Sequence, residues 1–163
     1  MQQLQTRIVK SMQADMISIP AGAGTYCLIL RMEKPAVLTI GKLGIFNFPA
    51  GWYVYTGSAR GPGGLGGRLR HHLRPVANPH WHIDYLRSAA TVQSIWYCVG
   101  ETASEHAWAG ELGRLPGVQI PAPRFGASDC RCMTHLVHFE SQPHVSRARK
   151  LTGSPIQVWR PEE

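Results

Sequence analysis

Residues 25–56 read TYCLILRMEKPAVLTIGKLGIFNFPAGWYVYT. The first eight, TYCLILRM, form a continuous apolar run, and residues 36–40, 44–48 and 52–56 follow with Gly, Pro or Asn between them. Short apolar runs separated by turn residues predict strands, and their close spacing predicts an antiparallel meander. A glycine-dense loop over 57–67 leads into RLRHHLR (68–74), where Leu69 and Leu73 share one helical face. After a turn over 75–79, residues 80–90 predict a second helix and 92–99 another strand. Ser104 caps a third helix with an apolar face of Ala107, Trp108, Leu112 and Leu115, stopped by Pro116-Gly117, and 134–140 alternates as a strand. Strands first and interspersed helices later predict α+β, a small domain with a central antiparallel β-sheet flanked by helices. Residues 1–20 read as an N-terminal leader, 21–140 as the domain and 141–163 as a C-terminal extension.

The 163 residues make about one domain, and 44% hydrophobic with 17% charged residues is enough to bury an interior. No apolar stretch approaches the ~18 residues of a membrane span, and Lys10, Gln13 and Asp15 interrupt the first twenty, against a secretory signal. Four cysteines (Cys27, Cys98, Cys130, Cys132) are too few for a disulfide scaffold, so a reducing, cytoplasmic location is expected. The net charge of +7 is concentrated. Residues 34–83 contain no Asp or Glu but hold Lys34, Lys42, Arg60, Arg68, Arg70 and Arg74. A one-signed field of this kind attracts polyanions, so nucleic acid is the expected partner, with a merely solvated basic surface as the competing account.

Gly24-Thr25-Tyr26, then Tyr55-Thr56-Gly57-Ser58-Ala59, then LGGRLRHH (65–72) resemble the signature of the GIY-YIG nuclease superfamily. The runs GTYCLIL (24–30), AGWYVYTGSA (50–59), HWHIDYL (80–86) and FGASDCRCMTHL (125–136) are similar to a branch of it sometimes fused to endonuclease III. The resemblance implies a small nuclease fold with Tyr26 and Tyr55 on adjacent strands, Arg68 on the following helix and His72 one turn later. It further implies a glutamate on a later helix holding one Mg²⁺ or Mn²⁺, and Glu105, before Ala107-Trp108-Ala109, fits that place. The implied activity is a metal-dependent endonuclease or phosphodiesterase acting on DNA rather than RNA, with a DNA-repair partner and no membrane. Three departures stand out: GTY for GIY, YTG for YIG, and 29 residues from Tyr26 to Tyr55, a longer interval than the usual compact hairpin.

The chemistry supports the same set. Phosphodiester hydrolysis needs an activated nucleophile, charge stabilisation in the transition state and help for the leaving oxygen. Arg68 offers a permanently charged fork matched to phosphate. Glu105 is a hard oxygen ligand for Mg²⁺. Tyr26 and Tyr55 position or activate water, and His72 is an alternative base or shuttle. Lys42, Arg60, Arg70 and Arg74 are expected to touch the nucleic-acid backbone. Each residue also has a plainer reading: a strand tyrosine packs, and Glu105 favours a helix dipole, with Glu101 and Glu111 competing for the metal. The alternative function is a binding module that cuts nothing.

Two further motifs need separate treatment. Residues 61–66 fit G-x-G-x-x-G with Asp84 downstream, the dinucleotide fingerprint, but the preceding strands do not form a β-α-β unit. Cys130-x-Cys132-x-x-His135 suggests a second metal site for zinc, with His80 or His82 as further ligands, although one residue between cysteines is tighter than the usual zinc spacing and inert thiols are the preferred reading.

Overall fold

The computed structural model describes residues 19–161 together with Gln3; the other residues of the leader lie outside the described set. Strands β1 (Gly24–Met32), β2 (Ala36–Ile40), β3 (Gly44–Phe48) and β4 (Gly51–Ala59) come first. Helices α1 (Gly64–Leu73) and α2 (His82–Leu86) follow, then β5 (Thr91–Val99), α3 (Glu105–Leu112), β6 (Leu136–Phe139), α4 (Val145–Thr152) and β7 (Gln157–Trp159). The fold is α+β, as expected. Five strands form one antiparallel sheet in the order β6-β4-β1-β5-β7.

The nearly unbroken apolar sequence of β1 is explained by its central place, flanked by β4 and β5 and covered on both faces. Leu28, Leu30, Tyr53, Ile95 and Tyr97 face one core together with Leu65 and Leu69 of α1 and Ile83 and Leu86 of α2. Cys27, Ile29, Val54, Trp96 and Val137 face a second core closed by Trp108 and Leu112 of α3 and Ala148 of α4.

The simple meander needs correction. β1 pairs directly with β4, and β2–β3 leave the sheet as a separate hairpin. The long interval between the two tyrosines is therefore spent at the Met32–Gly51 end of the pair, away from the Tyr26–Gly57 end. Nor is 57–67 one loop: Gly57 to Ala59 extend β4, and Gly64 to Gly67 already lie in α1. The second helix is shorter than expected and is set by Asp84, whose carboxylate accepts the N–H groups of His80 and Trp81, both at 3.0 Å. The third helix starts where expected, with the Ser104 hydroxyl accepting from Ala107 N–H at 3.3 Å. Beyond residue 140, α4 packs on α3 and β7 pairs with β5, so these residues join the same body. No helix among the described residues is long and apolar enough to cross a membrane.

Residues 19–22 close the start of α1. Leu65 N–H donates to the Gly22 carbonyl (2.9 Å) and Gly66 N–H to that of Pro20 (3.2 Å), while Ile19 is buried in the first core. These donors meet the chain's own carbonyls, and the strands before them pair antiparallel, so the glycines serve backbone approach rather than a dinucleotide. At Gly64, φ is +54° and a Cβ would lie 1.9 Å from the Ala21 carbonyl oxygen. Gly64→Ala is expected to cost about 2 kcal/mol or more in chemical denaturation, whereas Gly61→Ala, with open space around it, stays within about 0.5 kcal/mol.

Candidate active site

Tyr26 and Tyr55 lie diagonally across the β1–β4 pair, Tyr26 opposite Gly57 and Tyr55 opposite Leu28, so both rings project from one face. Gly57 leaves room for Tyr26: a Cβ there would sit 2.6 Å from the ring's Cζ. The Tyr26 hydroxyl lies 2.6 Å from Nε2 of His72, which reaches down from α1. Tyr55 is half-buried, its ring edge-on to His72 and Phe125.

Burial sets the charge state of this group. It pushes the His72 imidazole down to about 3, helped by nearby Arg87 and His71, and raises the phenols of Tyr26 and Tyr55. For both phenols Arg68 pulls the other way, favouring phenolate, while Glu105 opposes it. At rest the pair is therefore neutral phenol and neutral imidazole, joined by one hydrogen bond between the phenol oxygen and Nε2, while Nδ1 of His72 is buried without a partner among the described residues.

Arg68 sits one turn before His72 on α1. Its guanidinium lies 4.4 Å from the centre of the Trp81 ring and forms no ion pair among the described residues. Trp81 is held by the turn that Asp84 organises. Burial alone would raise the Asp84 carboxyl, but the His80, Trp81 and His71 donors outweigh it and hold it below the ordinary carboxylate value. The HWHID segment thus builds the platform under Arg68.

Glu105 arrives from the other face of the sheet. It occupies the first turn of α3, and its Oε1 accepts from the Ser58 hydroxyl at 3.0 Å. Thr25, the residue that makes the first motif GTY, donates its hydroxyl to the Ala103 carbonyl at 2.9 Å and so ties β1 to the approach of this helix.

These groups share one cleft of about 290 Å³, lined by Tyr26, Tyr55, Arg68, His72, Glu105, Ser58 and Trp81, with Cys130 and His135 along one wall. All five residues expected to be catalytic are brought together, and nothing from the β2–β3 hairpin lines the cleft. Arg70 is exposed on α1 and Arg74 is exposed at its C-cap, and Lys42 is exposed in the turn between β2 and β3. None of the three lines the cleft. Arg60 is exposed at the end of β4, its guanidinium 3.4 Å from the Ala103 carbonyl.

The Cys130, Cys132 and His135 cluster also assembles, joined by His106, with one potential ligand atom from each within 4.8 Å of the others. His82 is committed elsewhere, its Nδ1 accepting Gly126 N–H at 2.8 Å, and His80 is not in the group. Sequence reasoning missed His106, which could have been found from its place beside Glu105. Trp81 and Ser58 lie inside HWHIDYL and AGWYVYTGSA, runs on which the resemblance rests, but neither was assigned to the site.

A family model described as "Domain of unknown function DUF123" matches residues 25–154. No curated protein and no solved structure matches the chain.

The buried imidazole predicts acid sensitivity. Because His72 titrates near 3 in the fold and near 6.5 when exposed, the unfolded chain binds an extra proton between those values. Its contribution to stability is complete above about pH 6.5 and is lost as pH falls toward 3, with a slope of at most about 1.4 kcal/mol per pH unit. Denaturant titrations at several pH values should show that slope, and His72→Gln should flatten it by up to that amount.

Proposed function

We propose that this chain, which belongs to the GIY-YIG-like family DUF123, is a metal-dependent hydrolase of nucleic-acid phosphodiester bonds, cutting DNA in preference to RNA. The observation that carries the reading is the meeting of two phenols, an imidazole, a guanidinium and a carboxylate in one open cleft. The chain from which these groups come has a basic excess of +7, suited to a polyanionic substrate.

Each group has a task that its surroundings suit. Arg68, held on Trp81 without a carboxylate partner, keeps its charge for the phosphate oxygens as negative charge develops on them. Tyr26 gives its proton to Nε2 of His72 and keeps phenol lone pairs for a water's proton, forming a two-step relay. Burial keeps His72 neutral, and in the Nδ1–H tautomer Nε2 is able to receive; the same burial makes it a weak base, so proton transfer accompanies attack rather than preceding it. Tyr55 orients the attacking water.

The carboxylate of Glu105 is partly exposed on the cleft wall, and the Ser58 hydroxyl fixes one oxygen while lone pairs remain for a hard cation. Mg²⁺ or Mn²⁺ held through Glu105 would supply positive charge to the leaving oxygen. Arg70, exposed on the helix that carries Arg68, and Arg74, exposed at its C-cap, would contact the substrate backbone, with Lys42 and Arg60 extending that contact. The four quoted sequence runs favour the branch sometimes fused to endonuclease III, and with it a DNA-repair partner. Four free cysteines favour a reducing, cytoplasmic location.

Purified protein incubated with branched, single-stranded and duplex DNA plus Mg²⁺ or Mn²⁺ should cleave at least one of them. Arg68→Ala should reduce the cleavage rate by about 10²-fold or more while binding persists, and Tyr26→Phe and Glu105→Gln should also lower it. Binding to every substrate with cleavage of none would instead assign the chain as a nucleic-acid-binding module. Arg70→Ala and Arg74→Ala should weaken binding across sequences and each flatten the salt dependence by about one unit of slope.

A further inference from the structure

We propose that His106, Cys130, Cys132 and His135 form a closed, four-coordinate zinc site that fastens the loop ahead of β6 to the first turn of α3. Zinc takes nitrogen at about 2.0–2.1 Å and thiolate sulfur at about 2.3 Å, so a tetrahedral site has sulfur-to-nitrogen edges of about 3.6 Å. Cys130 Sγ lies 3.4 Å from His135 Nε2, and Cys132 Sγ lies 3.4 Å from His106 Nδ1. All four ligand atoms fall within 4.8 Å of one another, so a small movement inward closes the tetrahedron. The two imidazoles stand nearly perpendicular, 78° apart, and enter from different directions.

The surroundings prepare both histidines. His135 Nδ1–H donates to the Thr56 carbonyl at 3.0 Å, which fixes the tautomer and leaves the Nε2 lone pair directed toward Cys130. In His106, Nδ1 faces Cys132 while Nε2 is 3.9 Å from the Glu105 carboxylate, the side from which an outer carboxylate steadies a ligating imidazole. The loop between the ligands has no regular structure but is organised around one cation. The Arg124 guanidinium donates to the carbonyls of Cys132 (2.5 Å), Ala127 (2.6 Å) and Cys130 (2.6 Å), and Arg124 itself takes a positive φ of 68°. That arrangement compensates for the single residue between the cysteines by turning the backbone so both sulfurs face one point.

Two thiolates and Zn²⁺ sum to zero charge, and four protein ligands leave no open position, so the ion is structural. Its effect on the cleft is positional: His106 adjoins Glu105, and Cys130 and His135 lie along the same wall.

Protein purified without chelator should carry about one equivalent of zinc, as expected for metal bound together with folding. Replacement by Co²⁺ should give tetrahedral d–d bands and thiolate-to-cobalt charge transfer. His106→Ala, a change at a half-exposed side chain that should leave the fold intact, should bind zinc more than about 100-fold more weakly, since loss of an outer partner alone costs 10–100-fold. Cys130→Ser with Cys132→Ser should abolish the charge-transfer band. His71→Ala, at the separate His71, His72 and Asp84 group, should keep both metal and spectrum. Folded wild-type protein that takes up neither Zn²⁺ nor Co²⁺ would overturn the assignment. So would zinc fully retained by His106→Ala, or lost on His71→Ala instead.

Discussion

β4 outruns its neighbour. β6 pairs with it only from Trp52 to Tyr55, and residues 56–59 continue past that end. Everything proposed for this protein depends on that length difference. A sheet interior separates its two faces, so side chains on opposite faces cannot meet through it. Where the outer partner stops, the edge is open, and groups from both faces turn toward the same space. Tyr26, Tyr55 and the α1 residues come from one side, Glu105 and Ser58 from the other, and the loop with Cys130 and His135 closes the outer wall. That loop also takes up part of the open edge, with Thr56 N–H donating to the His135 carbonyl at 2.9 Å.

Within the cleft, charge is distributed unevenly. The deep members, Tyr26 and His72, are each pushed toward their neutral forms by burial and share one short hydrogen bond, which leaves Nδ1 of His72 buried without a partner among the described residues. The charged members, Arg68 and Glu105, stay partly exposed at the walls, where solvation costs less. A second, buried ionic group lies behind Arg68: Asp84 collects two backbone N–H groups, His71 and Arg87, and fixes the turn bearing Trp81. The cation in the cleft is therefore oriented by an aromatic ring rather than by a counter-ion, which leaves its charge available to a ligand.

The sequence made the strands legible because their apolar runs are short and separated by turn residues, and it made the five site residues legible because their order resembles a known signature. Pairing was another matter. Four strands in succession suggest a meander, but whether the middle two remain in the sheet depends on what packs against them, here α2 on β2. Glycines 64, 66 and 67 looked like loop because glycine is a poor helix former; the close approach of residues 19–22 overrides that preference. His106 was missed because it stands 24 residues before Cys130, outside any local metal spacing. Nor do the departures GTY and YTG show in the sequence what their hydroxyls do: that of Thr25 bonds to the Ala103 carbonyl and that of Thr56 lies 3.4 Å from the Cys27 sulfur.

The limits of the family match, residues 25–154, are narrower than the folded body. A fragment trimmed to them would lose the carbonyls of Pro20 and Gly22 that receive the first amides of α1, and with Ile19 a buried side chain of the first core. It would also strip β7 from β5, leaving the backbone of Ile95 to Tyr97 without its outer partner and Trp159 missing from the interior. Homology boundaries are the wrong guide for cutting this protein: a piece that keeps these contacts must include Ile19 at one end and Trp159 at the other.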